Sequence, residues 1–151
     1  MAKIACLLPH NFPGFDREFT MSLLSVVSGF YVWNAAQTQK HELTIIHERN
    51  GWIDRMRELL AHTALSLNAD YLLWLDCDMI FPPNLIPRMM KTFQENPEIE
   101  AITGLYSWKQ PPFVQHVYHA YDKKTDTFNV AAGFPLNKLF AVEGAGFGCL
   151  M

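Results

Sequence analysis

With 151 residues, half of them hydrophobic and 18% charged, the chain has the size and balance of one globular domain with its own core. A net charge of −3 provides no broad basic surface, which argues against a duplex nucleic acid as partner. No apolar run has the length expected of a transmembrane segment, and Met1-Ala2-Lys3 leads into a short strand-like run, not a secretory leader. Cys6, Cys77 and Cys149 are odd in number, widely spaced and set in apolar segments. They read as reduced core residues of a cytoplasmic protein, without zinc spacing.

In chain order, residues 3–8 are an apolar strand closed by Pro9, and residues 10–14 a loop. A helix is predicted over 16–37, apolar over much of its surface through Phe19, Leu23, Leu24, Val26, Val27 and Phe30. Residues 43–47 form a second strand, and Asn50-Gly51 breaks the chain. A second helix over 53–67 carries the stripe Ile53, Met56, Leu59, Leu60, Ala64 and Leu67. The unbroken apolar run from Tyr71 to Leu75 reads as a strand buried on both faces. Asp76-Cys77-Asp78 follows at once, and Pro82-Pro83 stops the strand. A third helix spans 85–94, with Asn84 placed to cap it, and 99–105 is a further strand.

Alternating strand and helix predict a Rossmann-like, mostly parallel sheet flanked by helices, with right-handed crossovers. After Tyr106 the pattern becomes mixed. Residues 107–115 are a proline- and aromatic-bearing loop. A strand over 114–121, a turn over 122–126 and a strand over 127–131 read as a hairpin. Residues 133–137 are loop and 139–142 a last short strand. The whole is one α/β domain, 1–151, made of a ligand-binding half (1–106) and a second half (107–151).

The two aspartates are the main chemical signal. In an extended chain Asp76 and Asp78 share a face while Cys77 takes the other. A turn and a helix cap would account for one aspartate, but not for two like charges on one face beside an apolar strand. Placed at the carboxyl end of a central strand, where open α/β sheets bind ligands, the pair suits Mg²⁺ or Mn²⁺ better than zinc or copper.

Other residue patterns narrow the choice. Neither a Gly-x-Gly-x-x-Gly after the first strand nor a Gly-x-x-x-x-Gly-Lys-Ser/Thr occurs, which disfavours dinucleotide dehydrogenases and P-loop enzymes. Gly144, Gly146 and Gly148 alternate, which fits close packing in a strand or backbone approaching a sugar. His116 and His119, three apart, would face opposite ways on a strand, and His41 and His47 lack helical zinc spacing. Arg55 and Arg57 lie near the start of the second helix, where the helix dipole does not favour a cation. Either a solvated salt bridge to Asp54 or Glu58, or an anion such as phosphate, accounts for them. Lys109 and Trp108 occupy the loop on the expected ligand side, as possible phosphate and ring contacts or as packing.

On these residues the chain resembles a family 2-type nucleotide-sugar glycosyltransferase of the GT-A fold. Asp76-Cys77-Asp78, with its strand, matches the Asp-x-Asp element of that family. Ile53-Asp54-Arg55-Met56-Arg57-Glu58-Leu59 is similar to its Arg-Asn helix start, with Arg57 at the arginine and Glu58 where asparagine is usual. Gly104-Leu105-Tyr106, Lys109 and Pro111-Pro112 resemble a Gly-Leu-Tyr…Lys…Pro segment. Gly146-Phe147-Gly148-Cys149-Leu150-Met151 resembles a Gly-x-Gly-x-x-Leu strand. Pro9 fits the proline ending the first strand, and Glu48 stands near the acidic residue that contacts the base.

The resemblance implies a UDP- or GDP-sugar donor, a sugar transferred to an acceptor hydroxyl, and Mn²⁺ or Mg²⁺ held through Asp76 and Asp78. Asp78 would bind the ion and Asp76 the ribose or a metal-bound water. Pro9, Glu48, Arg57, Asp76 and Lys109 would bind donor, with Trp108 and Gly146 toward the sugar or acceptor. Family members usually continue into an acidic pair that supplies the general base, and often a histidine for the metal. Neither lies within these residues, and the chain ends on an apolar run. The expectation is therefore a fragment with its base beyond residue 151, itself inactive. The alternatives are a non-catalytic sugar-nucleotide or carbohydrate-binding module and a Mg²⁺-dependent nucleotidyltransferase. The second usually carries a Gly-rich loop where Pro9-His10-Asn11 stands.

Overall fold

The structure is a computed structural model that describes residues 1–11, 14–49, 51–107, 111, 115–130, 135 and 138–151, and all but the His119 side chain among them. Three βα units come first: β1 (Lys3–His10) and α1 (Arg17–Ala36), β2 (Glu42–Arg49) and α2 (Ile53–Ser66), β3 (Tyr71–Leu75) and α3 (Leu85–Glu95). Then come β4 (Val117–Asp122), β5 (Thr127–Val130), β6 (Gly144–Ala145) and β7 (Cys149–Leu150). One sheet has the order β2-β1-β3-β7, with β1 parallel to both neighbours and β7 antiparallel to β3. A second, antiparallel sheet has the order β5-β4-β6.

β1 is buried on both faces and divides the core. Ile4, Cys6 and Leu8, with Leu73 and Leu75 of β3, pack under Phe19, Val26 and Phe30 of α1 and Ile86, Met90 and Phe93 of α3. Ala5, Leu7 and Trp74 face the other way, onto Leu60 and Ala64 of α2. The domain is thus three layers, two helices on one face of the sheet and one on the other. Asp16 caps α1 by accepting from the Phe19 N–H at 2.6 Å. At the far end the Lys40 ammonium donates to the carbonyls of Asn34, Ala35 and Gln37. The buried Asn34 amide exchanges two hydrogen bonds with the His41 backbone, which fixes the entry into β2. Asn84 stands at the N-cap of α3 but makes no side-chain capping bond there.

Four features differ from the sequence expectation. Pro9 does not end the first strand, because β1 runs on to His10. Pro9 lies beyond the last β1–β3 pair, Leu7↔Trp74, where β1 has one strand neighbour and a missing N–H is tolerated. The central strand stops at Leu75, so Asp76 and Asp78 sit on the turn after it and not within an extended chain. Residues 99–105 form no strand. Their partner β7 is two residues long, and pairing is limited to an isolated bridge at Thr103 and Leu150, where Ile102 and Met151 exchange two backbone hydrogen bonds and the Gly104 N–H donates to the Cys149 carbonyl. Residues 139–142 are likewise irregular; β4 pairs with Gly144–Ala145 instead. The 127–131 hairpin strand is present as β5, antiparallel to β4. Most of the 133–137 loop lies outside the described residues.

By length and composition alone α1 is sufficient to cross a membrane, which the sequence reading did not anticipate. Its buried Phe19, Val26 and Phe30 face the sheet, while Met21, Leu24, Tyr31 and Val32 are exposed.

Candidate active site

In the order β2-β1-β3, the chain leaves β1 toward one side and later returns to the other, so a topological switch point lies between β1 and β3 at their carboxyl ends. Asp76 follows β3 directly at this edge. Its N–H donates to the Gly148 carbonyl at 3.0 Å, which ties the start of the Asp-Cys-Asp turn to the turn before β7. Cys77 is buried in the core under α1 and α3, whereas Asp78 is exposed.

α2 starts a few residues after the carboxyl end of β2, so its first turns reach the same edge. Met56, Leu60 and Ala64 form its buried stripe, and Arg57 stands beside it. An Arg57 Nη2 donates to Asp76 Oδ1 at 3.2 Å, with both side chains about one-third exposed or less. The guanidinium carbon lies 4.8 Å from the centre of the Phe147 ring. Phe147 in turn meets Trp74 edge-on at 5.7 Å. The Arg57 Nε is buried and has no hydrogen-bond partner among the described residues. Arg55 instead forms an exposed i,i+3 pair with Glu58. The two arginines, equivalent by spacing, are therefore separated by geometry: one is a solvated surface pair and the other faces the carboxylate.

Pro9 and Glu48 are neighbours in register on β1 and β2, at the same edge. Glu48 accepts from the Arg49 N–H at 3.1 Å. His10, buried beside them, packs its ring on Phe15 at 4.5 Å and His47 at 5.6 Å. Trp108 and Lys109 lie outside the described residues. Gly146 donates its N–H to the His116 carbonyl, and a Cβ on Gly146 or Gly148 would run into the Tyr106 side chain. Close packing thus accounts for these two glycines.

Negative charge is concentrated here. Burial first, then Asp78 and Asp76, push the Cys77 thiol above its ordinary range. Burial also raises the Tyr106 hydroxyl, against the opposing effect of the hydrogen bond it accepts from Gly148, with Asp76 adding to the rise. Cys149 is pushed up to about 11 by burial, with a smaller contribution from Asp76. Among the described residues no cluster of three or more His, Cys, Asp or Glu side chains forms a closed metal cage. Sequence reasoning missed Phe147 and the Tyr106 hydroxyl. Their signals were a lone bulky ring between two glycines, and a tyrosine followed 42 residues later by the glycine it binds. Trp52, 85% exposed on the loop between Glu48 and Arg57, was also passed over.

An α/β domain that brings carboxylates and a guanidinium to the switch point of its sheet is suited to an anionic ligand, and the sequence comparison gives the class. Residues 32–145 match the profile of glycosyl transferase family 2, which implies a glycosyltransferase domain of the GT-A type. The match covers more than half of the chain, and the protein belongs to glycosyl transferase family 2. It includes Glu48, Arg57, Asp76 and Asp78, begins inside α1 after Pro9, and ends one residue before Gly146. Neither the comparison with curated proteins nor that with solved structures gave a match.

Proposed function

We propose that this edge binds a UDP- or GDP-sugar as the donor site of a glycosyltransferase that passes the sugar to an acceptor hydroxyl. The observation that carries the reading is the Arg57–Asp76 pair at the switch point, within the part of the chain that matches the family. In this reading β1, α1, β2, α2 and β3 form a Rossmann-like donor half within residues 1–106, and residues 107–151 belong to the acceptor half.

Asp76 and Asp78 fit Mn²⁺ or Mg²⁺: they are hard oxygen donors, one exposed and one partly so, and among the described residues no third ligating side chain closes the site. Such ions bind through one or two carboxylates and take their remaining ligands from phosphates and water. When bound, the ion supplies positive charge that neutralises the diphosphate as a leaving group. Arg57 adds charge-assisted hydrogen bonds to the phosphates, and the resemblance gives Lys109 the same role. By the family resemblance Glu48 and Pro9 would contact the base, and Trp108 and Gly146 the sugar or acceptor. In the transfer the acceptor oxygen forms a bond to the anomeric carbon as the bond from that carbon to the diphosphate oxygen breaks. The acceptor proton passes to a general base, and the nucleoside diphosphate leaves. Three buried, unpaired cysteines suit a cytoplasmic setting.

The test compares two arginines on one helix. Arg57→Ala should weaken binding of UDP or GDP in Mn²⁺ about tenfold or more, the scale of a charge-assisted hydrogen bond, and Arg55→Ala should leave it nearly unchanged. Equal small effects would contradict the reading. Release of nucleoside diphosphate from a UDP- or GDP-sugar on addition of acceptor separates an enzyme from a binding module.

A further inference from the structure

The turn that carries Phe147 is held from several directions. The Gly148 carbonyl accepts from the Asp76 N–H, and the Gly148 N–H donates to the Tyr106 hydroxyl at 2.9 Å. Tyr106 is itself braced by the His116 ring, stacked at 4.9 Å. Phe147 leans edge-on against Trp74 and presents its face to Arg57. The ring stays 42% exposed, an apolar surface at the mouth of a charged site.

We propose that Phe147 is a positioning residue whose ring holds the Arg57 guanidinium flat beside Asp76, so that the arginine meets an incoming diphosphate already ordered. A guanidinium stacked on a ring uses its π face and keeps its in-plane N–H groups for oxygens. One N–H already goes to Asp76, while the buried Nε has no hydrogen-bond partner among the described residues. A flexible arginine would lose more side-chain freedom on meeting the ligand, and ordering it beforehand strengthens binding. The consequence for the diphosphate rests on the donor-site reading above; the ordering of Arg57 does not.

The experiment has two arms, on wild type, Phe147→Leu and Phe147→Trp. The first follows the Arg57 Nε–H signal by NMR without nucleotide. It should be sharp and slow to exchange in wild type and Phe147→Trp, and broadened or lost in Phe147→Leu. The second measures UDP and GDP affinity in Mn²⁺, with and without Arg57→Ala. Phe147→Leu should weaken binding about threefold to tenfold, Phe147→Trp should restore it, and in the Arg57→Ala background Phe147→Leu should add nothing. A purely structural effect of Phe147→Leu would persist in that background and overturn the proposal. So would an Arg57 signal unchanged by Phe147→Leu. If the Arg57 signal responds as expected but wild type binds neither nucleotide, the donor reading fails and the positioning role stands.

Discussion

Asp76 lies beside Arg57 because burial goes on alternating past the end of β3. Leu73, Leu75 and Cys77 enter the core under α1 and α3, and Trp74 enters the one under α2. Asp76 shares the parity of Trp74 and so falls on the α2 side, where Arg57 waits. The same division places Cys6 in the deepest layer. Burial first, and Cys149 second, push its thiol up to about 12 from an ordinary 9.0. A raised acid pKa means that the folded state favours the neutral thiol. This contribution is whole below pH 9 and is lost as pH rises from there toward 12, because the unfolded chain sheds the proton first. The melting temperature should therefore fall with pH above about 9. Cys6→Ala, although less stable at pH 7, should fall less steeply, and parallel curves for the two proteins would contradict this origin. At this scale the sequence made the Asp-Cys-Asp pattern and the candidate arginines visible. Spacing alone left Arg55 and Arg57 even, and only the resemblance singled out Arg57; the packed helix sets Arg57 beside Asp76 and leaves Arg55 on the surface with Glu58.

At the scale of elements, α1 fixes the loop that follows the aspartates. The buried Ser22 hydroxyl accepts from the Phe81 N–H at 2.6 Å, and Gly29 lets the helix approach the Pro83 backbone so closely that a Cβ would overlap its carbonyl. Gly29→Ala should gain about 1 kcal/mol of helix propensity but lose more, on the order of 1–3 kcal/mol, because a backbone carbonyl cannot swing aside. Ser22→Ala leaves a buried N–H without its partner and should cost about 1–3 kcal/mol. At roughly 2–4 °C per kcal/mol, each change should lower the melting temperature by several degrees. A rise on Gly29→Ala in thermal melts would show that the loop moves freely. The three helices and the strands preceding them were legible because their apolar periods are long and uninterrupted. The 99–105 and 139–142 segments were misread for the opposite reason. Apolar composition marks a strand only when a partner of matching length exists, and β7 and β6 span two residues each.

For the whole molecule, three parallel strands with helices on both faces followed from alternation and handedness. The antiparallel insertion of β7 beside β3 did not, since it joins residues 75 and 149 and no local signal reaches that far. The insertion closes the site, because it carries the Gly146–Gly148 turn onto Asp76 and Phe147 onto Arg57. An apolar groove lies elsewhere, between α1 and the start of α3, lined by Met21, Leu24, Val32, Trp33, Pro83 and Pro87 and by no charged side chain among the described residues. The charged site is therefore set by charge and topology, away from that groove.

The central claim is that Asp76 and Asp78 hold a cation for a nucleoside diphosphate, and thermal melts test it most directly. They would be recorded with Mn²⁺, with UDP or GDP, and with each combination, for wild type and Asp78→Ala. Metal and nucleotide should act as a coupled set, each alone shifting the wild-type curve little. Together, at nucleotide about 100-fold above its dissociation constant, linkage predicts about 2.7 kcal/mol, a rise on the order of 5–10 °C. Asp78→Ala should lose the metal-dependent part of that rise. No shift of wild type by either nucleotide in Mn²⁺, or an Asp78→Ala shift as large as that of wild type, would contradict the account.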